Sequence, residues 1–598
     1  MKKGRGNYND EKNKEDNSEI NFSFDIKKIK WVYVLLIAFL ILGFYLRFYH
    51  IQYPVIGYHN WKVAHYITEA RNFAREGFFR YGFFVPMRDT TEGIDEPSDG
   101  EHNDTFPTDP IVVGLMFKIF GESLVTARFV EIFFSLASVV VFYLLIKELF
   151  EREDLALLSA FLAAINPMFV FFSHNVDVIN SGLFFMLLGA YYYLRWIKHQ
   201  LEKHQFSYLY LGLFFAMLGA ITKYTFAVIF IPMLFVFPFK KVLKSYKKFI
   251  VPVVISAIIL SGFPGWFYYS EVYIKDNVFG KNITKSVLES YEVTSLIDFS
   301  IIWSQDFWAI MKSYVADNFT TIGIVFSFLG MLLFAVLYFT NNKGKLGYNF
   351  MIVYLTSMFL FVFVMGYKLS GHNYHQFPIA PLIIFMISYF IVVIAGNVAS
   401  MISKKENMNA VIKVAIIAAI ILLPPVSGLY AKSMESKDRM FDTQFPGLDI
   451  AGNYIKEHKN QGDRVMHSSG QSYGFLWNAD VRGYKTPSSG GPEYLARAQN
   501  DYNVSWFFVY QWGINAVFQN TFLMDHIRQN YRLVQFAFIP TGQQQIQPLY
   551  FLFRKGGTFN ENDTNILLQN SIQEGRLFNQ TYYYTQSAYN VMYVNIEP

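Results

Sequence analysis

Residues 31–49, WVYVLLIAFLILGFYLRFY, form an apolar run whose only charge, Arg47, comes near its end. Coiled as an α-helix, such a run crosses a hydrocarbon layer of about 30 Å. Lys27, Lys28 and Lys30 precede it and no small-residue cleavage site follows, so the reading is an uncleaved first span. The first 30 residues carry eight Lys/Arg, many acids and few apolar side chains, which makes them a solvated tail.

Similar runs recur near 124–148, 155–173, 178–197, 206–222, 225–239, 249–269, 321–340, 349–367, 377–397 and 410–429. The expectation is an α-helical polytopic membrane protein with about eleven transmembrane helices. Composition agrees, because only 16% of the 598 residues are charged while 53% are hydrophobic and 19% aromatic. A typical soluble domain is about 25% charged, so a soluble enzyme is excluded. There is no cysteine. That excludes a disulfide framework and suits an archaeal or bacterial surface better than a eukaryotic lumen.

The net charge of +5 matters through its placement. Counted from an inside N-terminus, one side collects Lys147, Arg152, Lys198, Lys203, Lys240, Lys241, Lys244, Lys247, Lys248, Lys343, Lys345, Lys404 and Lys405. The positive-inside rule makes that side cytoplasmic. Residues 1–30 are then a cytoplasmic tail, 31–429 a membrane domain with a first outer loop at 50–123, and 430–598 an extracytoplasmic domain. The expected location is the plasma membrane. In the last segment, strand patterns at 464–467, 506–511, 533–539 and 549–553 alternate with helical patterns at 448–458, 493–499 and 522–529. This predicts a C-terminal α/β domain. The Tyr/Asn-rich tail from Phe578 adds a strand or drapes over the surface. Trp477, Trp506 and Trp512 are either core residues or platforms for sugar rings.

Polar, ionisable residues gather at the outer ends of nearly uncharged spans, where such groups are costly and point to function. Gly57 to Lys62 opens an amphipathic helix along the outer interface, with Val63, Ile67, Ala70 and Phe73 on one side. Lys62, Glu69, Arg71, Asn72 and Arg75 lie away from them. His59 stands at its start. Within the acidic stretch 89–109, Asp104 and Asp109 bracket Phe106-Pro107 before an apolar helix, where desolvation raises a carboxylate's basicity and suits a general base. Ser173-His174-Asn175-Val176-Asp177 joins two spans, and Lys223 ends another where its ammonium suits a phosphate. His372-Asn373-Tyr374-His375 offers imidazoles that could hold a divalent ion. No HExxH, Walker A or GxSxG pattern is present, which argues against a zincin, a P-loop ATPase and a serine hydrolase.

Phe106-Pro107-Thr108-Asp109-Pro110, the helix 111–120, Gly121-Glu122-Ser123 and Ala127-Arg128-Phe129 resemble the first outer loop and second span of GT-C fold glycosyltransferases. The likeness is to the protein O-mannosyltransferase and aminoarabinose transferase superfamily. It continues through Asn166-Pro167, 173–177, Thr222-Lys223 and Tyr374 to Pro381, covering roughly residues 30–400. The resemblance implies an outward cavity where a polyprenyl-phosphate sugar meets an acceptor hydroxyl from a protein, lipid or glycan, with inversion at the anomeric carbon. It implies metal or phosphate contact at Asp104, donor-phosphate contacts at Lys223, Asp177, His174 and Tyr374, and further metal ligands at His372 and His375. Many relatives carry Asp-Glu after the first span and this chain has His59-Asn60, so His59, Asp104 and Asp109 all remain candidates for the base. The rival expectation is a transporter or flippase of lipid-linked glycans, which predicts inverted hydropathy repeats and ionisable residues deep in spans. Neither pattern stands out in the sequence. Nucleic acid is not an expected partner.

Overall fold

A computed structural model describes residues 30–85, 90–91, 93–94, 105–199, 205–270, 300–342, 344–468, 473–487, 491–541, 545–584 and 587–597. Helices α1 (Trp31–Phe48), α2 (Asn60–Glu76), α3 (Thr108–Phe120) and α4 (Leu124–Phe150) come first. Then follow α5 (Glu153–Ala164), α6 (Pro167–Phe172), α7 (Ile179–Lys198) and α8 (Gln205–Thr222). A buried guanidinium is tolerated only when it finds partners, and Arg47 uses its own to tie α1 to its neighbours. Its Nε donates to Ser135 on α4 at 2.9 Å, and its Nη1 to the Ala164 carbonyl on α5 at 2.8 Å.

Six described helices are long and apolar enough to cross a membrane: Trp31–Phe48, Leu124–Phe150, Tyr246–Tyr268, Thr321–Thr340, Leu346–Val364 and Ala380–Ile402. A seventh is the pair Glu406–Leu422 and Val426–Arg439, bent by 40°. The other expected crossings take different forms. Residues 155–173 break at Asn166-Pro167, where the Asn166 side chain caps Phe169 N at 3.1 Å and starts α6. Residues 225–239 are a 3₁₀ turn (Tyr224–Ile229) followed by a short helix (Phe230–Phe235). Helix α7 has the length, but Asn180, Arg195 and three tyrosines make it more polar than a lipid-facing span. The bundle therefore holds helices long enough to span a membrane and shorter apolar ones packed beside them.

The C-terminal part is built on a mixed sheet with strand order β1-β3-β2-β4-β6-β5-β8-β7. Its strands are β1 (Thr90–Thr91), β2 (Arg464–His467), β3 (Arg482–Lys485), β4 (Val504–Tyr510), β5 (Tyr531–Thr541), β6 (Gln545–Lys555), β7 (Leu577–Tyr584) and β8 (Ser587–Asn595). The first four in spatial order run parallel and the rest antiparallel. Helices Leu448–His458 and Tyr473–Ala479 cover one face through Trp506 and Phe508, and Pro492–Asn500 and Thr521–Asn530 cover the other through Phe507 and Val509. All seven β4 residues are buried, as a doubly covered central strand requires. The Tyr/Asn-rich tail supplies the β7–β8 hairpin.

Strand β1 was not expected from the sequence. It comes from the first outer loop and pairs Thr90 with Gly483 and Thr91 with Tyr484 at the sheet edge. Ile94 then enters the domain core, and its N–H donates to Tyr494 Oη at 3.0 Å. The first loop is thereby fastened to the C-terminal domain.

Candidate active site

Helices α7 and α8 pack with almost no side chain between them at two glycines. A Cβ on Gly189 would lie 2.5 Å from Ala216 N, and one on Gly212 would lie 2.6 Å from Tyr193 N. Such small-residue contacts let helices in a membrane approach closely. Asp177, two residues before α7, and Lys223, just after α8, therefore meet at one end of the pair. Helix α3 is fixed there too: Phe106 N–H donates to the Ile221 carbonyl at 3.0 Å, and the Thr108 and Thr222 hydroxyls bond at 2.5 Å.

Four segments converge on the Tyr374 ring. Lys62 Nζ lies 4.4 Å and Lys223 Nζ 4.2 Å from its centroid. Lys62 also pairs with Asp177 at 2.9 Å. The His59 ring stands 5.2 Å from Tyr374 and 4.9 Å from His372, while His372 stacks on Tyr374 at 5.2 Å. His375 packs 4.4 Å from Tyr374 on the opposite side in sequence. A one-turn 3₁₀ helix (Asn373–Gln376) presents Tyr374 and His375. His59 caps α2 in the left-handed region, with φ 57°, a conformation few non-glycine residues adopt. It is buried, at 8% exposure.

Burial and the two lysines set the charge states of the cluster. Burial, then the Lys62 ammonium, lower the His59 pKa to about 3, so its imidazole is neutral at ordinary pH. Burial and the two lysines also lower His372 and His375. Burial works against ionised Asp177, but Lys62 and Lys223 outweigh it and hold its carboxyl below the usual range. Among the described residues, these two ammonium groups face the Asp177 carboxylate.

A second acidic layer supports the first. Asp109 is fully buried; it accepts from Ser181 Oγ and lies against Glu131. Glu131 accepts from Asn180 Nδ2 at 2.9 Å. Two carboxyls in contact require a proton between them, and burial raises the Asp109 pKa to about 6. Asn180 and Ser181 are in the first turn of α7, three and four residues after Asp177. This pair therefore holds the turn that carries Asp177.

The structure thus brings together His59, Asp177, Lys223, His372, Tyr374 and His375, with Asp109 one layer behind. His174 is placed elsewhere: its Nε2 meets the Arg47 carbonyl and its ring packs on Phe441. Asp104 lies outside the described residues. Lys62 and Glu131 were not singled out for the site. Lys62 follows His59 by three residues, one helical turn, and that spacing was the available signal. The polar side of α2 does not lie along an open interface. Glu69, Arg71 and Asn72 are buried, and Arg71 pairs with Asp480 of the C-terminal domain at 2.8 Å. Among the described residues no three His, Asp or Glu side chains gather to hold a metal ion.

Residues 105–269 match the dolichyl-phosphate-mannose-protein mannosyltransferase family. No curated protein sequence matches the chain. Among solved structures, it is similar to the Archaeoglobus fulgidus oligosaccharyltransferase AglB in complex with an inhibitory peptide and a dolichol-phosphate. The TM-score is 0.53 and the identity 12%, covering 89% of this chain and 75% of that one. It is also similar to ArnT from Cupriavidus metallidurans bound to undecaprenyl phosphate, with TM-score 0.54 and 11% identity over 88% of this chain and 97% of that one. A third neighbour is the A. fulgidus oligosaccharyltransferase with Zn and sulfate, with TM-score 0.52 and 14% identity over 86% and 72% of the two chains. The chain has the GT-C fold of these membrane glycosyltransferases, with the mannosyltransferase family pattern carried by residues 105–269.

Proposed function

We propose that this protein is a membrane glycosyltransferase that moves a sugar from a polyprenyl-phosphate donor to an acceptor hydroxyl at the outer membrane surface. The observation that carries this reading is the meeting of Lys62, Lys223 and His59 around Tyr374, at the ends of helices from the membrane bundle. Support also comes from the two neighbours solved with dolichol-phosphate and undecaprenyl phosphate. The opposite ends of α4 and α7 carry Lys147, Arg195 and Lys198. By the positive-inside rule those ends are cytoplasmic and the cluster faces out.

In the proposed reaction, His59 accepts the proton of the acceptor hydroxyl as its oxygen bonds to the anomeric carbon. The bond from that carbon to the phosphate oxygen breaks, its electron pair leaves with the phosphate, and the configuration inverts. The donor phosphodiester carries one negative charge and the released lipid phosphate tends toward two. Lys62 and Lys223 meet that growing charge, which is the way preorganised cations lower a barrier. Donor phosphate between the lysines also offsets the field that depresses His59, so the base strengthens once the donor is bound.

The described residues, which do not include Asp104, fit a divalent ion poorly. Two ammonium groups stand in the cluster, and the described imidazoles and carboxylates do not form a three-ligand set. In this reading the lysines supply the positive charge. Transfer should persist in a chelator; loss restored by an added divalent ion would show that a metal takes part.

The central test is transfer by protein reconstituted in liposomes with polyprenyl-phosphate mannose. His59→Ala should lower kcat at least a hundredfold while donor binding stays. Lys223→Ala should weaken donor binding 10- to 100-fold, since a hydrogen bond to a charged group is worth about 1.5–3 kcal/mol. Transfer unaffected by both substitutions would refute the site.

A further inference from the structure

We propose that the C-terminal domain binds a neutral saccharide, the sugar portion of the acceptor, in the crevice where β2 and β4 end, with Trp512 as its stacking platform. This rests on the transfer reading for the word acceptor but not for the binding itself. After β2 the chain turns to the helix Tyr473–Ala479 on one face of the sheet. After the neighbouring parallel strand β4 it turns to the helices Ile514–Gln519 and Thr521–Asn530 on the other. The carboxyl ends of strands whose connections diverge are the place where open α/β sheets take ligands.

The groups there suit a sugar. Trp512 is 57% exposed, yet its indole is held by near-perpendicular contacts with Phe445 at 5.5 Å and Tyr510 at 5.4 Å. A fixed, exposed indole offers a flat apolar face to the C–H side of a pyranose. Gln511 Nε2 donates to Tyr510 Oη at 3.3 Å, which keeps Oε1 as its acceptor. Ser468 Oγ accepts from Tyr510 N–H at 2.9 Å and so keeps its own O–H to donate. These side chains are uncharged, and the charged Lys485 belongs to β3, on the far side of β2. Neutral donors and acceptors beside an aromatic face match hydroxyls better than phosphate or carboxylate.

The crevice also adjoins the membrane site. Phe445 N–H donates to the Ile56 carbonyl at 2.9 Å, three residues before His59. A Cβ on Gly474, which follows β2, would lie 2.4 Å from the Val55 carbonyl and 3.4 Å from Asn60 Nδ2. Through Phe445, Trp512 is therefore tied to the segment that leads into α2.

The test uses the full chain in nanodiscs, titrated with mannotriose and, separately, with a Ser/Thr-rich peptide, read by saturation-transfer NMR. Mannotriose should bind to wild type and to His59→Ala alike, at least tenfold more weakly to Trp512→Ala, and nearly normally to Trp512→Phe. Should Trp512→Ala fail to fold, Gln511→Ala gives the decision by a severalfold loss. No mannotriose binding at millimolar concentration, binding indifferent to both Trp512 and Gln511, or peptide binding alone would each overturn the proposal. If wild type binds mannotriose but never consumes polyprenyl-phosphate mannose, the transfer reading fails and the saccharide site stands.

Discussion

Asp109 lies against Glu131 beneath the site, and the amide of Asn180 and hydroxyl of Ser181 complete the group. An unfolded aspartate titrates near 3.8, whereas folded Asp109 holds its proton to about 6. The folded state binds the proton more tightly, so the stability attached to this group is complete below its unfolded pKa and is lost as pH rises through about 6. Asp109→Asn keeps a neutral, donating group there, and the fall in unfolding temperature between these pH values should flatten. Asp109→Ala leaves Ser181 and Glu131 without their buried partner and should cost about 2–4 kcal/mol. Scans at several pH values check both; an alanine variant as stable as wild type would remove the supporting role. Asp109 was legible in the sequence as a carboxylate under an apolar wall. Glu131 was not, because it lies inside the apolar run of α4 and a pair made across helices leaves no local spacing to read.

At the level of elements, the site depends on how close α7 and α8 come. Gly189 and Gly212 touch backbone on the facing helix, so a larger residue must push the pair apart and move Lys223 from Asp177. Gly189→Leu should therefore weaken donor-phosphate binding at least tenfold without touching any donor-binding residue. Phosphate-lipid titration of the purified variant measures this; unchanged affinity would show that the helix spacing is immaterial. Hydropathy revealed where apolar segments lie and on which side the lysines gather. It could not show that 155–173 breaks at Asn166-Pro167 or that 225–239 starts as a 3₁₀ turn. An apolar residue that faces another helix and one that faces lipid score alike. The strands of the C-terminal domain were easier to read, because alternation and turn residues are local. The pairing of Thr90-Thr91 across nearly 400 residues of chain was not.

Over the whole molecule, α2 links the two halves. Its first turn holds His59 and Lys62 in the cluster, and its later turns hold the C-terminal domain. Asp480, at φ 52°, receives Arg71 at 2.8 Å, Arg75 at 2.9 Å and Lys459 at 3.1 Å. Burial opposes the Asp480 charge, but these cations overcome it and lower its pKa to about 2. Arg71 also lies over the Trp477 ring at 4.9 Å, and Trp477 stacks on Phe117 of α3. With Arg71 only 4% exposed, removal of the Asp480 carboxylate takes an ion partner from a buried charge, which costs about 3 kcal/mol or more. Asp480→Ala should loosen the domain from α2 and, through that helix, disturb His59 and Lys62. The expected result is a lower kcat with faster protease cleavage in the 440–447 connection, while the mannotriose affinity of the C-terminal domain changes little. Normal kcat in a variant whose connection is cleaved faster would mean that α2 keeps its place by packing on α3 and α4 alone.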